Sequence, residues 1–296
     1  MIEGFTARKI TAGNVSLHTV LGGNGPPLLL MHGYPQTHLL WRHVAPVLAG
    51  HFTIVAPDLR GYGESDKPPA GSDFAAYSKR VMAADMVALM TALGFETFAV
   101  AGHDRGGRVA YRLALDHPER VTGLATLDIM PTLDTWESLT GTRGLAAWHW
   151  YFLAQPPGVP EPMIAADPEA FLERLMGSWL LRRDAIDATT WAAYASAFRD
   201  PETIRATCDD YRAGASVDVA IDRADREAGR RIRCPLLALW GDRDGALADD
   251  RYLQVWKRWA DDARGGPIPG GHFLPEEAPE ETSNALLAFF CGLPEG

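Results

Sequence analysis

Cysteine is scarce in this chain. Its 296 residues include three, Cys208, Cys234 and Cys291, too few and too far apart for a disulfide framework. No CxxC or Cys/His spacing offers a zinc site, so no metal is expected and the thiols read as buried groups in a reducing compartment. No apolar run reaches membrane-spanning length. The opening Met1-Ile-Glu-Gly-Phe-Thr lacks the basic region and apolar core of a signal peptide, and a soluble, cytoplasmic protein is the expectation. Excess positive charge is missing too. A net charge of −10 argues against nucleic acid or an anionic membrane as partner. It also means that an anionic substrate needs a local cluster of arginines. There is no internal repeat and no low-complexity segment. What remains is an ordinary globular composition, long enough for one large α/β domain or a domain with an insertion.

Residues 5–20 read as a hairpin turning at Gly13-Asn14. Short apolar runs then recur at Pro27–Met31, Phe52–Ala56, Thr97–Gly102, Val121–Asp128 and Leu236–Trp240. Helical patterns lie at about 80–93, 107–116, 250–260 and 276–291. Such alternation predicts the α/β class, a mostly parallel sheet covered on both faces, with reactive groups beyond the carboxyl ends of its strands. His32, Asp58, Asp104, Asp128 and Asp242/Asp244 fall at those ends. Roughly a hundred residues between the fourth and fifth parallel strands break the pattern and carry Trp136, Trp148, Trp150, Trp179 and Trp191. A structureless loop of that length is improbable. The expected organisation is therefore a core of residues 1–130 and 233–296 with a helical cap at 131–232.

The chemistry concentrates at Gly102-His-Asp-Arg-Gly106, the G-x-nucleophile-x-G turn of an α/β-hydrolase with aspartate in place of the usual serine. A carboxylate there suits displacement at saturated carbon, giving an alkyl ester on the enzyme, better than acyl transfer. His272, in Gly270-Gly-His-Phe-Leu-Pro-Glu-Glu277, stands between the last strand and the last helix, where the base belongs. Asp128 or Asp244 could orient its imidazole. His32-Gly33-Tyr34 places the Tyr34 amide in the oxyanion hole, with the Arg105 amide as the second donor. Arg105 and Arg108, three residues apart at a helix start, project to one side. They could grip a substrate carboxylate, or pair with acids such as Asp58 or Asp128.

With these residues in hand the chain resembles the fluoroacetate (haloacetate) dehalogenases, in the epoxide hydrolase and haloalkane dehalogenase branch of the α/β-hydrolases. The matching segments include His32-Gly-Tyr-Pro-Gln-Thr-His38, Asp58-Leu-Arg-Gly-Tyr-Gly63, His103-Asp-Arg-Gly106 with Arg108, Leu127-Asp-Ile-Met-Pro-Thr132, His149-Trp150, Asp210-Tyr-Arg-Ala-Gly214 and Gly271-His-Phe-Leu-Pro-Glu-Glu277. They span nearly the whole chain. The resemblance implies a cofactor-independent conversion of small 2-haloacids, fluoroacetate first among them, to 2-hydroxyacids and halide. It implies that Arg105 and Arg108 bind the carboxylate, that His149, Trp150 and Tyr211 donate to the departing halide, and that Trp179 lies near the pocket. It favours Asp128 as the acid. Relatives often dimerise, which leaves a homodimer open. Chloro- or bromoacetate dehalogenation with little C–F cleavage, epoxide hydrolysis, and a non-catalytic binding role are the alternatives. Tyr34 and Gly107 depart from the phenylalanine and alanine expected in that family.

Overall fold

The computed structural model describes residues 2–242 and 250–293. Eight strands form one sheet: β1 (Thr6–Ala12), β2 (Val15–Gly22), β3 (Pro27–Met31), β4 (Thr53–Pro57), β5 (Phe98–His103), β6 (Val121–Leu127), β7 (Leu236–Gly241) and β8 (Ala263–Ile268). Their order is β1-β2-β4-β3-β5-β6-β7-β8. β1 and β2 are the expected hairpin, and β2 pairs antiparallel with β4. From β4 to β8 every pairing is parallel. This is the α/β-hydrolase architecture.

The strands read as continuous apolar runs because both faces are covered. Leu29, Met31, Val55 and Val100 pack on one side with Met82, Met86 and Val109. Their alternates Leu28, Leu30, Ile54, Ala99 and Ala101 pack on the other with Trp41, Phe289 and Phe290. The period of two along each strand divides the core into these two layers. Helices Lys79–Ala92, Asp104–Asp116, Arg251–Trp259 and Pro279–Phe290 stand close to the expected positions. The helix after β5 begins at Asp104, three residues earlier than the pattern suggested, because Gly106 and Gly107 are helical despite their low propensity.

Between β6 and β7 every described element is helical, from Thr132–Ser138 to Val217–Glu227. Buried ion pairs tie this segment to the helix after the elbow: Arg112 donates to Asp222 (2.5 Å) and to Asp225. No helix among the described residues is long and apolar enough to cross a membrane.

Candidate active site

The elbow is built by steric exclusion. Asp104 sits at φ 44°, a left-handed conformation that costs about 1–2 kcal/mol for a residue with a Cβ. Its glycine neighbours permit it. A Cβ at Gly102 would lie 2.4 Å from the Gly106 carbonyl, and one at Gly106 would lie 2.3 Å from that of His32. Gly33 is tighter still in its consequence. A Cβ there would meet the Asp104 Cβ at 2.4 Å and Oδ1 at 2.8 Å. Gly33→Ala is therefore expected to cut activity by about 100-fold, since it displaces the Asp104 carboxylate from its donor; the turnover of the folded variant checks this.

That donor is the Tyr34 amide, which gives a hydrogen bond of 2.9 Å to Asp104 Oδ1. The other carboxylate oxygen, Oδ2, lies 3.8 Å from His272 Nε2. On its far side His272 Nδ1 donates to Asp128 Oδ2 at 2.6 Å. Asp128 is itself held at φ 53° after β6, with Oδ1 accepting from the Gly241 amide at 3.0 Å. The pairing with Asp128 fixes a proton on Nδ1 and turns Nε2 toward Asp104. Asp244, the rival acid, lies outside the described residues.

Burial by itself would raise the Asp104 pKa. The charges of His272, Arg105 and Arg108 overcome that and hold it below the usual carboxylate range. His103, behind the elbow, donates from Nε2 to the His272 carbonyl (2.8 Å); burial lowers its pKa to about 4, so it is a neutral brace. His32 is similarly neutral, its Nε2 accepting from the Leu59 amide at 3.0 Å.

A cavity of about 510 Å³ opens over the elbow. Asp104, Arg108, Asp128, His149, Trp150, Trp179 and His272 line it; Arg105 and Tyr211 do not line it but pack against Trp150, which does. His149, Trp150 and Tyr211 do converge: ring centroids are 5.6 Å apart for Trp150–Tyr211 and 6.0 Å for His149–Tyr211. Trp179 packs edge-on against both His149 (4.6 Å) and His272 (5.4 Å). Burial drives the His149 pKa down to about 3, leaving a neutral imidazole whose buried Nδ1 has no partner.

The two arginines differ. Arg108 reaches over Trp150 (4.5 Å to the ring centroid) and donates to the Met130 carbonyl (2.8 Å) and the Thr135 hydroxyl (3.3 Å). Its Nε is buried without a partner, and no acid among the described residues forms a salt bridge with it. Arg105 is fully buried and pairs with the carboxylate of Asp210, which also takes Lys79 and the Tyr62 hydroxyl. The acids weighed from the sequence are not its partners: Asp58 accepts from the His38 amide and imidazole, each at 2.8 Å, and from the Glu64 amide at 3.0 Å. His18, His38 and Asp58 also form a grouping with metal-ligand spacing among the described residues. The Asp58 oxygens are already saturated as loop organisers, and the group does not line the cavity. Asp210, Lys79 and Tyr62 were missed as partners of the site. Asp210 was legible only as the first letter of a motif.

The sequence pattern of the alpha/beta hydrolase fold family matches residues 26–279. The chain belongs to that family. It is 42% identical to a fluoroacetate dehalogenase from Burkholderia sp, over all of this chain and 97% of that one. It is 34% identical to a soluble epoxide hydrolase from Corynebacterium sp. (strain C12), over 94% of each. The crystal structure of a Nostoc sp PCC 7120 protein assigned to the alpha/beta hydrolases superposes with a TM-score of 0.95 at 45% identity, covering 99% of this chain and 100% of that one. Within the α/β-hydrolase family, then, both carbon–halide and epoxide chemistries stand among this chain's relatives.

Proposed function

We propose that this α/β-hydrolase is a hydrolytic dehalogenase of small 2-haloacids, with fluoroacetate the leading substrate and no cofactor. The observation that carries the reading is the placement around one cavity of Asp104, at the nucleophile position, and Arg108, a buried cation with no salt-bridge partner among the described residues. A buried guanidinium with a free donor is costly without a counter-ion, and a carboxylate with a leaving group on the adjacent carbon answers both features.

Asp104 Oδ2 attacks the α-carbon as the carbon–halogen bond breaks, giving an aspartyl ester and halide. His149, Trp150 and Tyr211 meet the charge that develops on the halide; fluoride, a strong acceptor and poor leaving group, depends on them most. Water enters at the 3.8 Å gap between Asp104 Oδ2 and His272 Nε2, loses its proton to Nε2 and attacks the ester carbonyl. Asp128 steadies the imidazolium, and the Tyr34 amide, with that of Arg105, holds the oxyanion. Collapse releases the 2-hydroxyacid. Residues 131–232 act as the lid that keeps bulk water from the first step.

Epoxide opening is the second reading, and one observation favours it. The Tyr34 hydroxyl, buried without a partner among the described residues, belongs to a ring 5.3 Å from that of Tyr211, so two phenols stand together near Asp104. A neutral epoxide would leave Arg108 without an anion, which places the haloacid first. Halide release from fluoroacetate and chloroacetate, measured side by side with styrene oxide opening, tests the order. The expected result is release of both halides with glycolate as the carbon product. Epoxide turnover without halide would replace the reading.

A further inference from the structure

We infer that Asp210 and Lys79 are positioning residues of this site, fixing the Arg105 guanidinium between the Tyr211 ring and Gly214. The inference rests on the haloacid reading above, because it assigns these residues a part in gripping the substrate anion.

The guanidinium is constrained on every side that the described residues supply. Arg105 Nε lies 3.2 Å from both Asp210 carboxylate oxygens, and Nη2 lies 2.5 Å from Oδ1. The main-chain carbonyl of the same residue accepts from Nη2 at 2.8 Å. The Tyr211 ring faces it, 4.2 Å from Cζ to the centroid, with Trp150 at 5.5 Å. A Cβ at residue 214 would lie 3.0 Å from Nη2, close enough that the guanidinium would have to shift by a few tenths of an ångström. The motif Asp210-Tyr-Arg-Ala-Gly214 thus supplies an edge, a face and a gap to one side chain. What it leaves uncommitted is Nη1, buried and without a hydrogen-bond partner among the described residues. Buried N–H donors are rarely left so.

Lys79 fixes the Asp210 carboxylate that Arg105 also takes. Lys79 Nζ pairs with the same Asp210 carboxylate and lies 3.5 Å from Asp218 Oδ2, while its amide donates to Asp218 Oδ1 at 2.8 Å. The Tyr62 hydroxyl adds a donor to Asp210 at 2.7 Å. Two cations and two carboxylates therefore meet behind the guanidinium, and Lys79 anchors the Asp210 carboxylate that holds the Nε–Nη2 edge of Arg105. Coulombic pull from Arg105 and then Lys79 outweighs burial and holds Asp210 ionised far below the usual range.

A purely structural role would be a clasp between the core and the helix Pro201–Ala215. A clasp of that kind, between Arg112 and Asp225, joins the helices Asp104–Asp116 and Val217–Glu227 without lining the cavity, and serves as the control. Asp210→Asn keeps the shape and removes the charge; Lys79→Met keeps Asp210 and removes its second cation. Each is expected to raise KM for chloroacetate about tenfold or more and to weaken glycolate binding by a similar factor in calorimetry. Asp210→Asn should also slow fluoride release more than chloride release. Lys79→Arg should restore most of the affinity, and Asp225→Asn should lower the melting temperature with KM held within about twofold. Lys79→Met carries the test alone should Asp210→Asn not fold. Folded Asp210→Asn or Lys79→Met with wild-type KM and glycolate affinity overturns the inference, as does an equal KM change in Asp225→Asn. Wild-type protein whose glycolate affinity depends on Asp210 yet that releases no halide would sink the proposed reaction and keep the inference. Wild-type protein that does neither would sink both.

Discussion

Asp104→Asn is expected to lower halide release by at least about 10⁴-fold, about 5 kcal/mol of barrier, with the fold intact. The amide is nearly isosteric and can still accept from the Tyr34 amide, but it cannot displace halide from carbon. His272→Ala is expected to fail differently. It keeps the nucleophile and loses the base, so one halide per active site should be released and the alkylated enzyme should persist. Intact mass would show a single carboxymethyl group on the peptide that contains Asp104. Because its neighbours hold Asp104 below the ordinary carboxylate range, the nucleophile stays ionised as pH falls. The single-turnover halide burst should therefore remain flat from neutral pH down to about pH 5. A burst that fades with a midpoint above that would place the nucleophile elsewhere.

Arg108→Met is the second large effect. The side chain is buried, lines the cavity, and lacks an acidic partner among the described residues. Removing one partner of a buried, hydrogen-bonded charge pair costs about 2–5 kcal/mol, so KM for chloroacetate should rise about 30- to 4,000-fold. Arg108→Lys keeps the charge but not the planar fork and should fall between. Thermal shift gives an independent view. Glycolate in excess should raise the melting temperature of the wild type by linkage and leave that of Arg108→Met unchanged. An unchanged KM in Arg108→Met would move the carboxylate site off this residue.

The parts of the site that the sequence displayed are those set by local chemistry. A strand buried on both faces is a short apolar run, so the position of each strand end, and with it Asp104 and Asp128, could be read directly. The elbow glycines were legible because backbone approaches of 2.3–2.4 Å to a would-be Cβ leave no other residue type. β8 was the weakest strand: Ala263-Arg-Gly-Gly-Pro-Ile268 has no alternation, and it exists because β7 offers its edge in parallel register. The helices between β6 and β7 were legible only as a group, since short amphipathic turns leave little periodicity to read. The partner of Arg105 was not legible at all. Asp210 lies 105 residues away on a packed helix, and nothing local to either residue signals the pairing. The sequence left two acids open for His272; Asp128 stands at 2.6 Å from Nδ1 in the described part of the molecule.

One measurement bears most directly on the aspartyl-ester route: a single turnover in water enriched in heavy oxygen, with enzyme in excess over fluoroacetate or chloroacetate. The route through Asp104 predicts that the first glycolate carries ordinary oxygen, taken from the carboxylate, and that the label appears in the peptide bearing Asp104. Glycolate labelled in that first turnover, with Asp104 unlabelled, would mean that water attacks the α-carbon directly and would contradict the account.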